Sequence, residues 1–406
     1  MNSIDRVIED QAKSPAERQL EVNRLLAEEG ERGIETALHA VGEPVSEIHA
    51  SYAANYLGSL PALARQKNDA MRALLERKPE WVVAIANLIE FADDDTVERL
   101  TAPVLAQPGA PGAMSVAYEL AQHFPDRMRP DATALRPFDV HEFLLPGAPD
   151  DWVADLLKKY RADANGQWAI WISYIRTDAA RDALVTLFNA APSGRQNFFA
   201  ALLDSAGVFA DTREPSTYQP SFRGFVAAPG KSPHVVGGEV AGNVPISPID
   251  KQPADRIVEW RRRELPFEVG GTSDPIYFWH DDHHAPGHVY VRRTDKGLEG
   301  LMTPMGPAGK HNALVAAAGS IVLEKERHPY GIGGAAIKGS GRIQVGGYPQ
   351  WRTLERFPRC GNCGYGMRFL SSIDSGLASF TRFTFAGVLY AFWCERCDVS
   401  CTYRQL

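Results

Sequence analysis

A chain of 406 residues with 44% hydrophobic and 23% charged side chains is long enough for two hydrophobic cores and too apolar for wholesale disorder. Its formal charge of −7 is unevenly spread, with 31 acids against 20 bases in residues 1–205 and 19 against 23 in the rest. The acidic first half argues against a nucleic-acid surface there, because phosphates are repelled, and suits a solvated helical face or a basic protein partner.

The first ten residues carry acids where a secretory leader has a basic and then an apolar run, so no leader is expected. No apolar stretch reaches eighteen residues. The longest candidate, Trp81 to Ala92, is broken by Asn87 and Glu90, and no membrane span is expected. Four of the five cysteines fall in C-x-x-C pairs, which suits a reducing compartment, and a cytoplasmic location is expected.

In chain order, Ser14-Pro15-Ala16-Glu17 reads as a capping box with proline at the first helical position. Leu20, Val22, Leu25 and Leu26 supply the apolar stripe, and Gly30 is placed to end that helix. Asp95, Asp150 and Thr177 each precede a further run of apolar residues three and four apart. Trp81 to Leu105 and Trp168 to Phe188 share an outline of apolar helix, polar turn and second helix, which resembles HEAT-type repeats. Such pairs bury their stripes by stacking on their neighbours. An all-α, HEAT-like domain is therefore expected over residues 1–209.

Residues 210–235 are rich in proline, glycine and serine and read as a linker. Beyond it the pattern alternates at period two: His288 to Arg293, Ser320 to Glu324, Arg342 to Val345 and Gly387 to Trp393. A mainly antiparallel β domain is expected over 236–406, making the chain α+β.

The sharpest chemical signal is Cys360-Gly-Asn-Cys363 and Cys394-Glu-Arg-Cys397, two pairs separated by thirty residues. Two residues between thiolates let one turn grip an ion from both, and two such turns complete a closed tetrahedral Zn²⁺ site of the zinc-ribbon kind. A closed set holds structure and leaves no open position for chemistry. An excursion over Ser371 to Ser379 would absorb the long gap. Cys401, four residues past Cys397, is the alternative fourth ligand.

The same region resembles the YwqG-like proteins, a bacterial family whose domain has no settled function. The likeness lies in Gly341-Arg-Ile-Gln-Val-Gly-Gly-Tyr-Pro-Gln-Trp351, the Cys360/Cys363 turn, Met367 to Ser375, Ala386 to Trp393 and the second turn. Where members often have Gln before Ile-Asp-Ser, this chain has Ser372. The resemblance brings no catalytic residues. It implies an immunity or inhibitor role, since some members occur near secreted-toxin systems.

Three other clusters invite readings. His280, Asp281, Asp282, His283, His284 and His288 offer the ligand types of a catalytic metal site, though without a recognised spacing; a polar exposed loop is the plainer expectation. Gly331 to Gly334 and Gly339 to Gly341 lack the lysine and hydroxyl that a phosphate loop needs, and read as turns. Arg352, Arg356, Arg359, Arg368, Arg382, Arg396 and Arg404 surround the cysteine pairs with Tyr365, Phe369 and Trp393 interleaved. That pattern can bind nucleic acid, but the modest positive charge favours aromatics in a core. The reading that gathers these signals is a protein-binding module with structural zinc, set against a metal-dependent enzyme at the histidine cluster or nucleic-acid binding through the ribbon.

Overall fold

The computed structural model describes residues 3–110, 112–209, 214–215, 220–240, 242–247, 249, 251–280, 288–307, 319–326, 343–349, 351–353, 355–374 and 387–405. It is α+β, helical first and sheet-rich after. Two compact units divide it, Met1–Leu144 and then Leu145–Leu377 with Thr381–Leu406. The division thus falls inside the helical half, so the segment expected as one all-α domain over 1–209 contributes to both units.

The first unit holds α1 (Ser3–Glu9), α2 (Pro15–Glu28), α3 (Glu31–Gly42), α4 (Glu47–Gly58), α5 (Ala64–Arg77), a 3-10 helix (Pro79–Phe91), α6 (Asp94–Ala106), α7 (Ala113–His123) and α8 (Pro125–Met128). The capping box at Ser14 forms as its sequence predicts, the hydroxyl accepting from Glu17 N–H while the Glu17 carboxylate accepts from Ser14 N–H. Gly30, in the left-handed region at φ +61°, closes α2 and opens α3. The helix expected from Asp95 starts one residue earlier and is capped by Asp93, which accepts from Thr96 N–H. Helices two apart in sequence lie side by side: α2 with α4, α4 with the 3-10 helix, that helix with α7, and α3 with α5. This is the arrangement that stacked helix pairs give, each burying its stripe on the next. Leu57, Met71, Leu74, Ile85 and Leu88 are fully buried within it.

The second unit begins with α9 (Asp150–Asp163), α10 (Gly166–Ile175), α11 (Asp178–Ala190) and α12 (Gln196–Ser205), gathered around Leu156, Ile172, Leu184, Phe199 and Leu203. Strands follow: β1 (Val208–Phe209), β2 (Glu214–Pro215), β3 (Phe222–Ala227), β4 (Val235–Val236), β5 (Asn243–Pro245), β6 (Asp255–Trp260), β7 (Ile276–His280), β8 (Val289–Thr294), β9 (Gly297–Gly300), β10 (Met305–Pro307), β11 (Gly319–Lys325), β12 (Ile343–Val345), β13 (Arg368–Asp374), β14 (Val388–Cys394) and β15 (Val399–Gln405). Eleven of them form one antiparallel sheet ordered β7-β6-β4-β11-β3-β12-β13-β14-β15-β8-β9. Trp279 N–H of β7 donates to Thr402 Oγ1 of β15 at 3.2 Å, so the sheet coils until an end strand meets an inner one.

Two outcomes differ from the expected strands. The stretch read as a linker, 210–235, supplies β3, which sits between β11 and β12 in the middle of the sheet. Its Gly224 looks like a loop residue in sequence. In the sheet it is demanded by packing, because a Cβ there would lie 2.7 Å from Ile343 Cγ2 and 2.9 Å from Ile321 Cγ2. Second, Ser371 and Ser372 lie on β13, paired with Ala391 and Tyr390, and belong to no excursion.

β14 shows how one run serves two cores. Leu389, Ala391 and Trp393 enter a cluster with Val236, Ile257, Trp260, Ile321 and Ile343. The alternate residues Val388, Tyr390, Phe392 and Cys394 enter another with Tyr290, Trp351, Phe357 and Phe369. Period-two alternation aims successive side chains at opposite faces, and both faces of β14 are covered. Within this unit, buried charge ties α10 and α12 to the sheet region. Asp204 accepts from Arg356 Nε and from Phe357 N–H, and the Arg176 guanidinium lies 4.8 Å from the Tyr348 ring centre.

Candidate metal centre

The thirty residues between the cysteine pairs reduce to a strand pairing. Arg368, the first residue of β13, is in register with Trp393, the penultimate residue of β14. The turn before β13 and the turn after β14 therefore meet at one end of the sheet. In the first turn, Cys360 N–H donates to Tyr365 O and Gly364 N–H to Cys360 O, both at 2.8 Å, and Gly364 takes the left-handed conformation at φ +75° that the reversal requires. In the second, Cys397 N–H donates to Cys394 O at 3.3 Å, with Asp398 at φ +53°.

The sulphurs of Cys360, Cys363, Cys394 and Cys397 all lie within 4.8 Å of one another, and this group could hold a metal ion. Cys363 Sγ and Cys394 Sγ are 3.7 Å apart. A tetrahedron of thiolates about 2.3 Å from a central zinc has edges of about 3.8 Å, so the spacing fits such an ion. Cys401, the alternative ligand, is not in the group; it is fully buried on β15 opposite Phe392 and beside Tyr290. Position along the sheet explains this: Cys401 shares a face with Cys394 but sits level with Phe392, further down the strand and inside the aromatic core, while Cys397 stands on the turn.

The electrostatics favour a cation. Burial pushes the Cys360 and Cys394 thiols up, which disfavours the thiolate. At Cys363 burial opposes ionisation too, but the Tyr365 N–H and the neighbouring sulphurs outweigh it and hold the thiol below its usual value. Four sulphurs gathered beside an aromatic cluster gain from a divalent ion that stabilises all four thiolates at once.

Residues flanking the cysteines anchor the second turn. Asp398 accepts from Thr272 N–H at 2.8 Å and Ser273 N–H at 3.1 Å. Glu395 accepts from Gly270 N–H at 3.0 Å and pairs with Arg368. Sequence reasoning passed over these acids; their only signal was their place inside and beside the C-x-x-C run.

The other expected clusters fare differently. His280 ends β7 and is buried rather than on a polar exposed loop. His288 stacks on Tyr403 with ring centres 4.8 Å apart. Asp281, Asp282, His283 and His284 lie outside the described residues, as do Gly331 to Gly334, Gly339 to Gly341 and Arg382. Of the arginines, Arg352 pairs with Asp374, Arg356 with Asp204 and Arg368 with Glu395. Phe369 and Trp393 are core residues, while Tyr365 is exposed. Among the described residues no helix is long and apolar enough to cross a membrane. No family model matches the chain, and no curated protein or solved structure matches it either.

Proposed function

We propose that this is a cytoplasmic, non-enzymatic protein-binding module in which Cys360, Cys363, Cys394 and Cys397 hold one structural Zn²⁺. The observation that carries the metal is the convergence of four sulphurs within 4.8 Å on two short turns. Four thiolates saturate a tetrahedral ion, so the ion fastens two turns and offers no open position. Soft sulphur ligands in a tetrahedral set select zinc over the harder divalent ions.

The binding role draws support from charge and architecture. Met1–Leu144 carries 24 acids and 14 bases, a net of −10. Stacked helices with such an excess attract a basic protein and repel nucleic acid. Exposed Val45 and Ile48, beside Glu43 and Glu47, add apolar contact to that field. The resemblance to the YwqG-like proteins makes a toxin the partner of choice, with this chain as its immunity protein. Co-purification from the native host tests the reading. A stoichiometric basic partner released by moderate salt supports it, and recovery of the chain alone at low salt contradicts it.

A further inference from the structure

The four cysteines are unequally protected. Cys360 and Cys394 are buried, while Cys363 and Cys397 are half-buried on the solvent side of the cluster. A metal held here is therefore approached along the edge between the two outer sulphurs. One exposed residue from each turn stands at that edge. Tyr365 follows Cys363 by two positions and Arg396 precedes Cys397. The Arg396 guanidinium lies over the Tyr365 ring, 4.0 Å from its centre. The same two residues direct backbone N–H groups at sulphur, Tyr365 toward Cys363 and Arg396 toward Cys394. Glu395 and Asp398, the acids nearest to Arg396 in sequence, are engaged by Arg368 and by the amides of Gly270, Thr272 and Ser273.

From this geometry we infer that Tyr365 and Arg396 form a clasp across the two cysteine turns that governs how fast the metal leaves. The inference rests on the reading of the four cysteines as a zinc site. Stacking the guanidinium on the ring ties the first turn to the second at the side where they are most open. It keeps both N–H groups aimed at the thiolates, as outer partners of metal ligands do. It also sets one positive charge beside a centre that four thiolates and a divalent ion leave doubly negative. Both residues are positioning residues; neither contacts the metal through its side chain.

The test uses the full chain, with zinc transfer to a chromogenic chelator followed in time. Wild type, Tyr365→Ala, Arg396→Ala, Arg396→Lys and the double alanine variant are compared. Each is expected to bind one zinc per chain. Either alanine variant should release it about fivefold faster than wild type, the double variant no faster than the singles, and Arg396→Lys at a rate in between. Release within twofold of wild type in both alanine variants, or fully additive effects in the double variant, would overturn the clasp while leaving the zinc site standing. A wild-type chain that takes up no zinc on stoichiometric addition would instead overturn the site, and the clasp with it. Both side chains are exposed, so loss of folding is not expected; an exposed control, Met302→Ala beside the first turn, should leave the rate unchanged.

Discussion

Single side chains in the second unit carry opposed demands that only their partners reconcile. Cys363 and Cys394 sit 3.7 Å apart, where neither burial nor mutual repulsion favours two thiolates. Replacing either with serine removes one of four ligands, so Cys363→Ser and Cys394→Ser should each lose zinc and destabilise the sheet unit by several kcal/mol. Metal analysis beside thermal melting checks this; full zinc content with unchanged melting in either variant would refute it. His234 sets a pH dependence. Its ring packs edge-on to Trp260, Nδ1 accepts from Arg261 N–H at 3.3 Å, and the ring donates to the Glu264 carbonyl. Burial, the largest cause, lowers its pKa from 6.5 to about 4. Above the unfolded value both states are neutral and the shift has no effect on stability. As pH falls through 6.5 the unfolded chain takes up the proton first, and stability drops until the folded ring titrates near 4. Between pH 7.5 and 5.5 wild type should lose about 1 kcal/mol more than His234→Gln, read from urea midpoints. Parallel pH profiles would show that the imidazole is not held neutral by the fold.

At the scale of elements, what could be read in advance was what depends on near neighbours in sequence. The Ser14 capping box, the helical run after Thr177 and the alternating runs that became β8, β11, β12 and β14 are local patterns, and each formed where it was expected. The cysteine pairs were legible for the same reason, since each is a single turn. β3 was not, because Phe222 to Ala227 is short, flanked by glycine and proline, and becomes a strand only by pairing with residues about a hundred positions away. Nor could the thirty-residue gap be resolved without the register that sets Arg368 opposite Trp393. The 3-10 form of Pro79–Phe91 was likewise hidden behind a stripe that suits an α-helix equally well. Gly224 offers the element-scale test. Gly224→Ala would drive a methyl into Ile343 and Ile321, so the sheet unit should lose about 1–3 kcal/mol despite the gain in strand propensity. A chemical-denaturation midpoint at or above that of wild type would contradict the packing argument.

On the scale of the whole molecule, the last four helices share one unit with the sheet, and buried charge is one of the ties between them. Asp204, 3% exposed at the end of α12, accepts from Arg356 and Phe357 N–H of the sheet region and so ties α12 to it. Asp204→Ala removes a buried carboxylate to which the Arg356 guanidinium and the Phe357 amide donate, and should cost about 2–3 kcal/mol, read as a lower midpoint for the second unit only. Proteolysis that still released 145–406 as one equally resistant fragment from that variant would count against this role. The account as a whole turns on the four sulphurs and their ion. Zinc-edge X-ray absorption on the purified full chain, with elemental analysis of the same sample, tests it most directly. One zinc per chain with a shell of four sulphurs at about 2.3 Å is the predicted result. A chain without metal, a shell containing nitrogen or oxygen, or cysteines joined as disulfides would contradict it.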